Sequence, residues 1–172
     1  MTDTLTDPKN EALSWNPHVR VDKWHRTEDF EAGLPADDFI EVDGNLLLNA
    51  GITRLLNLLI GSGATAFNTA NTRIGVGDSA TAATAAQTDL QAATNKYYKL
   101  VTSAPSVSGS VATFVAAFGS AVANFVWAEW GIDNGTADSA TGVAPMLNRK
   151  VAALGTKASG STWTFTVTIT VS

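Results

Sequence analysis

The chain has 172 residues, no cysteine and a formal net charge of −5. The absence of cysteine excludes a disulfide framework, thiol catalysis and any cysteine-ligated metal. An acidic chain without a basic block is poorly suited to neutralise phosphates, so we expect no nucleic-acid partner.

The charged residues divide the chain into two parts of different composition. Residues 1–43 carry 15 of the 27 charged side chains and a net charge of −7, whereas residues 44–172 have a net charge of +2. The first part is polar and contains three prolines, so by itself it cannot bury enough apolar area to offset the entropy lost on folding. We therefore predict an extended charged arm over residues 1–43 and a single β-rich body over residues 44–172.

The arm also contains apolar side chains at irregular positions among its charges. Such spacing fits neither a helix nor a plain soluble tail, and it is typical of an extended segment that inserts side chains into pockets of neighbouring subunits. The sequence leaves open the alternative that the arm folds back over its own body. The predicted partner-binding anchors are Trp15, Trp24, Phe30, Leu34 and Phe39.

A helix is the first element predicted in the body. Leucine and alanine recur at spacings of three and four across residues 46–60, Asn45 can cap the first turn, and Gly61 follows the last turn. This segment is shorter than the roughly 20 apolar residues that a bilayer requires, so we predict a core helix and no membrane partner. A short strand follows at residues 73–76, and residues 85–94 fit either a surface helix or an ordered loop.

Three runs rich in β-branched and aromatic residues come next, separated by Pro, Gly and Ser. They occupy residues 96–103, 110–118 and 121–132. Such runs are typical of strands. The turn signal at Gly119 and Ser120 predicts that the second and third runs form a β-hairpin.

Residues 162–171 have the clearest strand pattern in the chain, because large apolar residues alternate with threonine without exception. This alternation predicts one face in the core and a row of threonines on the other face. We predict that residues 149–154 pair with this strand. Several short antiparallel strands with one helix predict a mainly β fold, a β-sandwich or related α+β body with one N-terminal core helix, preceded by the extended arm.

The body offers few candidates for catalysis or metal binding. Both histidines, His18 and His25, lie in the arm, so the body has no imidazole to activate a hydroxyl nucleophile. An extended segment also lacks the fixed geometry of a metal site. Residues 133–138 resemble a calcium-binding loop but lack its alternating oxygen ligands and terminal glutamate, so we predict a hairpin loop. We expect no enzyme activity, no catalytic residue, no metal and no cofactor.

Glu129 interrupts an aromatic run between Trp127 and Trp130. A carboxylate buried without a partner would be strongly destabilising. We therefore expect Glu129 either to face solvent or to pair with a cation such as Arg149 or Lys150. Both alternatives give this residue a structural role.

Four segments follow one another in a characteristic order. They are NLLLNAGITRLLNLLIG, RIGVGDSATAATAAQTDLQA, the aromatic strand ending in WAEWGI, and MLNRKVAALGTKASGSTWTFTVTI. In this order they resemble small virion structural proteins of tailed bacteriophages, and the resemblance covers residues 45–172. It implies a role on the capsid or the tail, with these segments forming turns and core rather than a catalytic signature.

The resemblance and the predicted arm together favour a capsid decoration or cement protein. The body would bind the outer head lattice and the arm would staple neighbouring subunits, so that many weak contacts reinforce one another. The expected partners are the major capsid protein and copies of the same chain, as a homo-oligomer with a trimer favoured. The N-terminus lacks a secretory signal pattern, which predicts synthesis in the host cytoplasm and a final location on the virion capsid surface. The alternative is a tail-fibre or baseplate-associated adaptor of the phage tail.

Overall fold

In the computed structural model, the part of the chain that is described, residues 13–142 and 145–172, forms ten strands and two helices. In chain order the elements are β1 (Trp15–Trp24), α1 (Thr27–Glu31), β2 (Asp38–Asp43), β3 (Leu46–Leu47), α2 (Asn49–Leu59), β4 (Arg73–Gly77), β5 (Lys96–Leu100), β6 (Ser106–Ser108), β7 (Val111–Phe118), β8 (Val126–Asp133), β9 (Asn148–Thr156) and β10 (Thr162–Val171). The predicted mainly β fold is confirmed.

The strands form two antiparallel five-stranded sheets that pack face to face. Sheet 1 has the order β2-β1-β10-β7-β6, and sheet 2 has the order β3-β9-β8-β4-β5. One buried cluster contains residues of both sheets, including Phe114 and Phe165 of sheet 1 and Ile74 and Trp130 of sheet 2. The fold is therefore a β-sandwich, with its core between the two sheets.

The alternation in β10 places its two kinds of side chain on opposite faces, as predicted. Phe165 and Val167 are fully buried, whereas Thr166 and Thr168 are only partly buried. The same period of two applies to β1, where Val19 and Val21 are fully buried. The central strands of sheet 1 thus supply one wall of the core.

Residues 15–43 belong to the sandwich, which corrects the predicted boundary between arm and body at residue 43. β1 pairs with β10 along its whole length, from Trp15 opposite Val171 to Trp24 opposite Thr162, and β2 pairs with β1. The polar residues His18, Arg20 and Asp22 of β1 alternate with Val19 and Val21, so a polar composition is compatible with a strand that has one solvent-facing side. The alternative that this segment folds back over its own body is the one found. Residues 1–12 of the predicted arm lie outside the described residues.

Two predicted strand pairings are wrong. β7 and β8 lie in different sheets, and so do β9 and β10. The chain crosses from sheet 1 to sheet 2 after Phe118, whose ring contacts the ring of Trp127 across the core with centroids 4.8 Å apart. β8 pairs antiparallel with β9, and the predicted hairpin loop at residues 133–138 is only the first part of the longer connection between them, residues 134–147. Alternation identifies a strand but does not identify the strand that pairs with it.

Helix α2 lies on the outside of the sandwich rather than in its core. Gly51 is its only buried residue, and a Cβ atom added there would lie 2.1 Å from the carbonyl oxygen of Leu147. The predicted cap is also wrong: the helix begins after Leu48, while the Asn45 side chain accepts a hydrogen bond from Trp15. With 11 residues, α2 is the longer of the two described helices, and neither could cross a membrane.

Candidate functional site

The five predicted anchors do not share one surface. Trp15, at the start of β1, packs against the core, and its Nε1 donates a 2.8 Å hydrogen bond to Asn45 Oδ1. Phe39 is half exposed on β2, with the Arg20 guanidinium 3.9 Å from its ring centroid. Trp15 is therefore part of the fold, while Phe39 presents an accessible ring at the edge of sheet 1.

The other three anchors contact one another around the connection from β1 to β2. The rings of Trp24 and Phe30 meet edge to face with centroids 5.1 Å apart, and Trp24 Nε1 donates a 2.8 Å hydrogen bond to the carbonyl oxygen of Leu34. Aromatic pairs of this geometry add about 0.5–1.5 kcal/mol beyond the area they bury. These residues thus stabilise a local loop, and a partner-binding role for any of the five stays a prediction.

Glu129 forms a buried ion pair with Arg149, one of the two cations considered for it. Both side chains are fully buried, and Arg149 Nε donates a 2.7 Å hydrogen bond to Glu129 Oε2. The backbone amides of Gln91 and Ala92 also donate to this carboxylate, at 3.0 and 2.7 Å. These hydrogen bonds therefore hold the loop between β4 and β5 against β8, the strand that contains Glu129.

The Arg149 guanidinium extends the same network. It donates to the Gln87 side chain and to the carbonyl oxygen of Thr81, at 2.9 and 2.8 Å. Residues 85–94 are accordingly an ordered loop, which settles the alternative left open by their sequence. A structural ion pair and its hydrogen bonds thus link the strand that contains WAEWGI, the segment MLNRK and residues 81–92 of the segment RIGVGDSATAATAAQTDLQA.

A second buried pair, Arg73 and Asp133, holds the loop that follows β8. Arg73 Nε donates a 2.8 Å hydrogen bond to Asp133 Oδ1, and Arg73 Nη1 donates a 2.9 Å bond to the carbonyl oxygen of Ala137. The guanidinium also lies 4.7 Å from the ring centroid of Tyr98. Burial, followed by a hydrogen bond to Asp89, raises the pKa of the Tyr98 hydroxyl, which therefore stays protonated and donates.

Lys157 is a buried cation with a different role. Its Nζ donates 2.8 Å hydrogen bonds to the carbonyl oxygen of Gly119 and to Asn124 Oδ1. These acceptors belong to the segment that crosses from sheet 1 to sheet 2. Burial lowers the pKa of Lys157 to about 8. The Lys157 side chain thus holds the crossover segment in place. Burial of its charged form costs free energy, so the contribution of Lys157 to stability depends on pH.

An apolar groove opens at the end of the sandwich where β1 begins. Its volume is about 460 Å³, within the usual range for binding clefts. No titratable side chain of the described residues lines it, so the groove suits the binding of apolar groups rather than acid–base chemistry. Its principal lining residues are Leu13, Trp15, Leu47, Leu55, Phe67, Val107, Phe114, Leu147, Ile169 and Val171.

Helix α2 continues the groove with a bare apolar stripe. The stripe is formed by residues at helical spacings of three and four, namely Ile52, Leu55, Leu56, Leu59 and Ile60, all of them exposed. Leu55 belongs to both features, so the groove and the stripe form one continuous surface, here called the apolar face. Seven of the eleven exposed large hydrophobic side chains in the described part of the chain lie on it.

The sequence contained a signal for this surface that the prediction of a core helix missed. Apolar residues occur on more than one side of α2, which is more than a single packed face can bury. The groove had no such signal, because residues from seven separate segments line it. Protein-family models, curated proteins and solved structures were compared with the chain, and none of them matched.

Proposed function

We propose that this chain is a structural protein of a bacteriophage virion, acting as a decoration or cement protein on the outer head lattice. The resemblance of residues 45–172 to small phage virion proteins supports this class of function. The observation that carries the proposal is the apolar face, where most of the exposed large hydrophobic side chains of the described residues are gathered. A contiguous surface of this kind marks a protein interaction site.

The β-sandwich suits a shell protein because it presents this face on a rigid body. Full burial of one large aliphatic side chain stabilises a contact by about 1.5–3 kcal/mol. Several partly exposed side chains on one face can therefore hold a subunit in an assembly, and repetition across a lattice multiplies their effect. Residues 15–43 contribute to this rigid body by completing sheet 1.

The location of the protein on virions tests the proposal. Purified particles are labelled with gold-conjugated antibody and imaged by cryo-electron microscopy, and the copies per particle are counted. Many copies distributed over the head are expected. A few copies confined to the tail would instead establish the tail-fibre or baseplate adaptor, and virions without the protein would overturn both assignments.

A variant links the apolar face to this location. Leu56→Glu places a charge on the exposed stripe and is expected to reduce the copies per particle severely, because a carboxylate buried in an apolar contact is strongly destabilising. Val126→Glu is the matched control, since Val126 is exposed to a similar extent outside the apolar face. Equal incorporation of the two variants would show that another surface attaches the protein.

A further inference from the structure

We propose that the apolar face is covered by a second copy of this chain, so that the protein enters its assembly as a homo-oligomer formed through α2 and the groove. This inference names the neighbour at the surface on which the proposed function rests. It depends on three properties of that surface: its shape, its lack of charge and its composition.

The apolar face combines exposed side chains with a neighbouring groove. Leu59 and Ile60 project at the end of α2, with 80% and 74% of their surfaces exposed. The groove beside them is concave, about 460 Å³ in volume and lined by Trp15 and Phe67 among others. The projection and the groove lie side by side on one face. Two copies related by a two-fold axis can therefore each insert the projection into the groove of the other, or several copies can each insert into the next around a ring.

The charges of α2 and of the groove allow such an approach. Arg54 is the only charged residue of α2, and its Nη1 donates to Asn134 Oδ1 and to the carbonyl oxygen of Thr65. The acidic helix α1 follows Trp24, at the opposite end of β1 from the groove. Two copies that meet through the apolar face therefore bring no like charges of the stripe or the groove together.

The composition of the apolar face favours a copy of the same chain over an unrelated partner. Interfaces between unlike proteins that also exist separately are about as polar as the rest of the surface, whereas homodimer interfaces are more apolar. An uncharged face also has no charge pattern by which it could select an unlike partner. The stripe is short, about 16 Å for 11 residues. A stable contact needs about 800 Å² on each partner, so it must include the groove and its rim at Leu13 and Val107.

The mass of the purified full-length protein tests the inference. Sedimentation velocity and light scattering are measured from low to high micromolar concentration, and a mass of two or more chains is expected. The double variant Leu56→Glu with Leu59→Glu should have the mass of one chain and an unchanged circular dichroism spectrum. The matched double variant Leu46→Glu with Val126→Glu changes two exposed residues outside the apolar face and should keep the wild-type mass.

Hydrogen exchange of the wild-type protein provides a second test, which does not require the variants to fold. Amides of α2 should exchange more slowly at concentrations at which the mass rises. A wild-type mass of one chain at every concentration would overturn the inference, and so would an oligomer in which the exchange of α2 does not change. A monomer that is abundant on virions would refute only the self-association, whereas an oligomer absent from virions would refute only the proposed function.

Discussion

The Glu129 carboxylate lies inside the protein, where hydrogen-bond donors surround it. Arg149 and two backbone amides donate to its carboxylate, and Gly77 on the neighbouring strand leaves room for it. A Cβ atom at Gly77 would lie 2.5 Å from Glu129 Oε1. Gly77 therefore accommodates a buried carboxylate.

We expect Glu129→Gln to destabilise the protein by about 3–5 kcal/mol, because it leaves the Arg149 charge buried without its counter-ion. Chemical denaturation of both proteins measures the change in the free energy of unfolding. Glu41→Gln removes one carboxylate from an exposed ion pair with Arg20 and should cost less than about 1 kcal/mol. Similar losses in the two variants would contradict the structural role of the buried pair.

Lys157 predicts a pH dependence of stability. Burial lowers its pKa to about 8 in the folded protein, against 10.5 in the unfolded chain, so between these values the unfolded chain binds more protons. The contribution of this group to stability therefore rises as the pH increases from about 8 to about 10.5, by at most about 3 kcal/mol. Urea denaturation across this range measures the free energy of unfolding, which should rise with pH more in the wild type than in Lys157→Met. Parallel pH profiles would contradict the shifted pKa.

At the scale of single elements, β8 shows how an irregularity decides which side chains are buried in the core. Trp127 and Trp130 both belong to the core cluster although they are three residues apart. A regular strand would place them on opposite faces, but the pairing of β8 with β9 shifts register between Trp127 and Glu129. This bulge turns both indoles inward and directs Glu129 to the loop on the other side.

The two faces of β10 should differ in their sensitivity to mutation. Phe165→Ala removes a fully buried ring from the core and should cost about 3–5 kcal/mol. Thr166→Ala, on the partly buried opposite face, should cost less than about 1 kcal/mol. Thermal and chemical denaturation measure both changes. A comparable loss in the two variants would indicate that the threonine face is covered by a neighbouring subunit.

Gly51 provides a test of how α2 is attached. Alanine normally stabilises a helix by about 1 kcal/mol relative to glycine. Here the added methyl group would meet the Leu147 backbone, which cannot move aside cheaply, so Gly51→Ala should instead destabilise by about 1–3 kcal/mol. Thr53→Ala, on the exposed side of α2, is the matched control in the same denaturation assay. A stabilised Gly51→Ala protein would show that α2 does not pack closely on Leu147.

At the scale of the whole molecule, the N-terminal strands β1 and β2 are the part of sheet 1 that the sequence-based prediction placed outside the body. β1 lies between β2 and β10, and its valines complete the core. Residues 15–43, which carry 8 of the 16 acidic side chains, are therefore integral to the fold. Arg20 and Asp22 lie on the partly exposed side of β1, while Val19 and Val21 lie on the core side together with Lys23, whose Nζ is 4.8 Å from the ring centroid of Trp163.

Truncation at the N-terminus tests this arrangement. Removal of residues 1–36 deletes β1 and exposes the core face of sheet 1, so we expect a protein without a cooperative unfolding transition. Removal of residues 1–12 leaves every described strand in place and should give a transition close to that of the full chain. Circular dichroism during heating compares the two. A folded product of the longer truncation would restore the separate arm of the sequence-based prediction.

The sequence by itself determined the features that depend on neighbouring residues. The alternation of β10, a strand at residues 73–76 and the restriction of Glu129 to either solvent or a cation were all predictable, because side-chain period and charge are local properties. The tertiary structure alone decided that β1 pairs with a strand almost 150 residues away and that successive strands change sheets. It also decided that the apolar stripe of α2 faces outward. Such contacts are selected by the packing of distant segments, for which local periodicity carries no information.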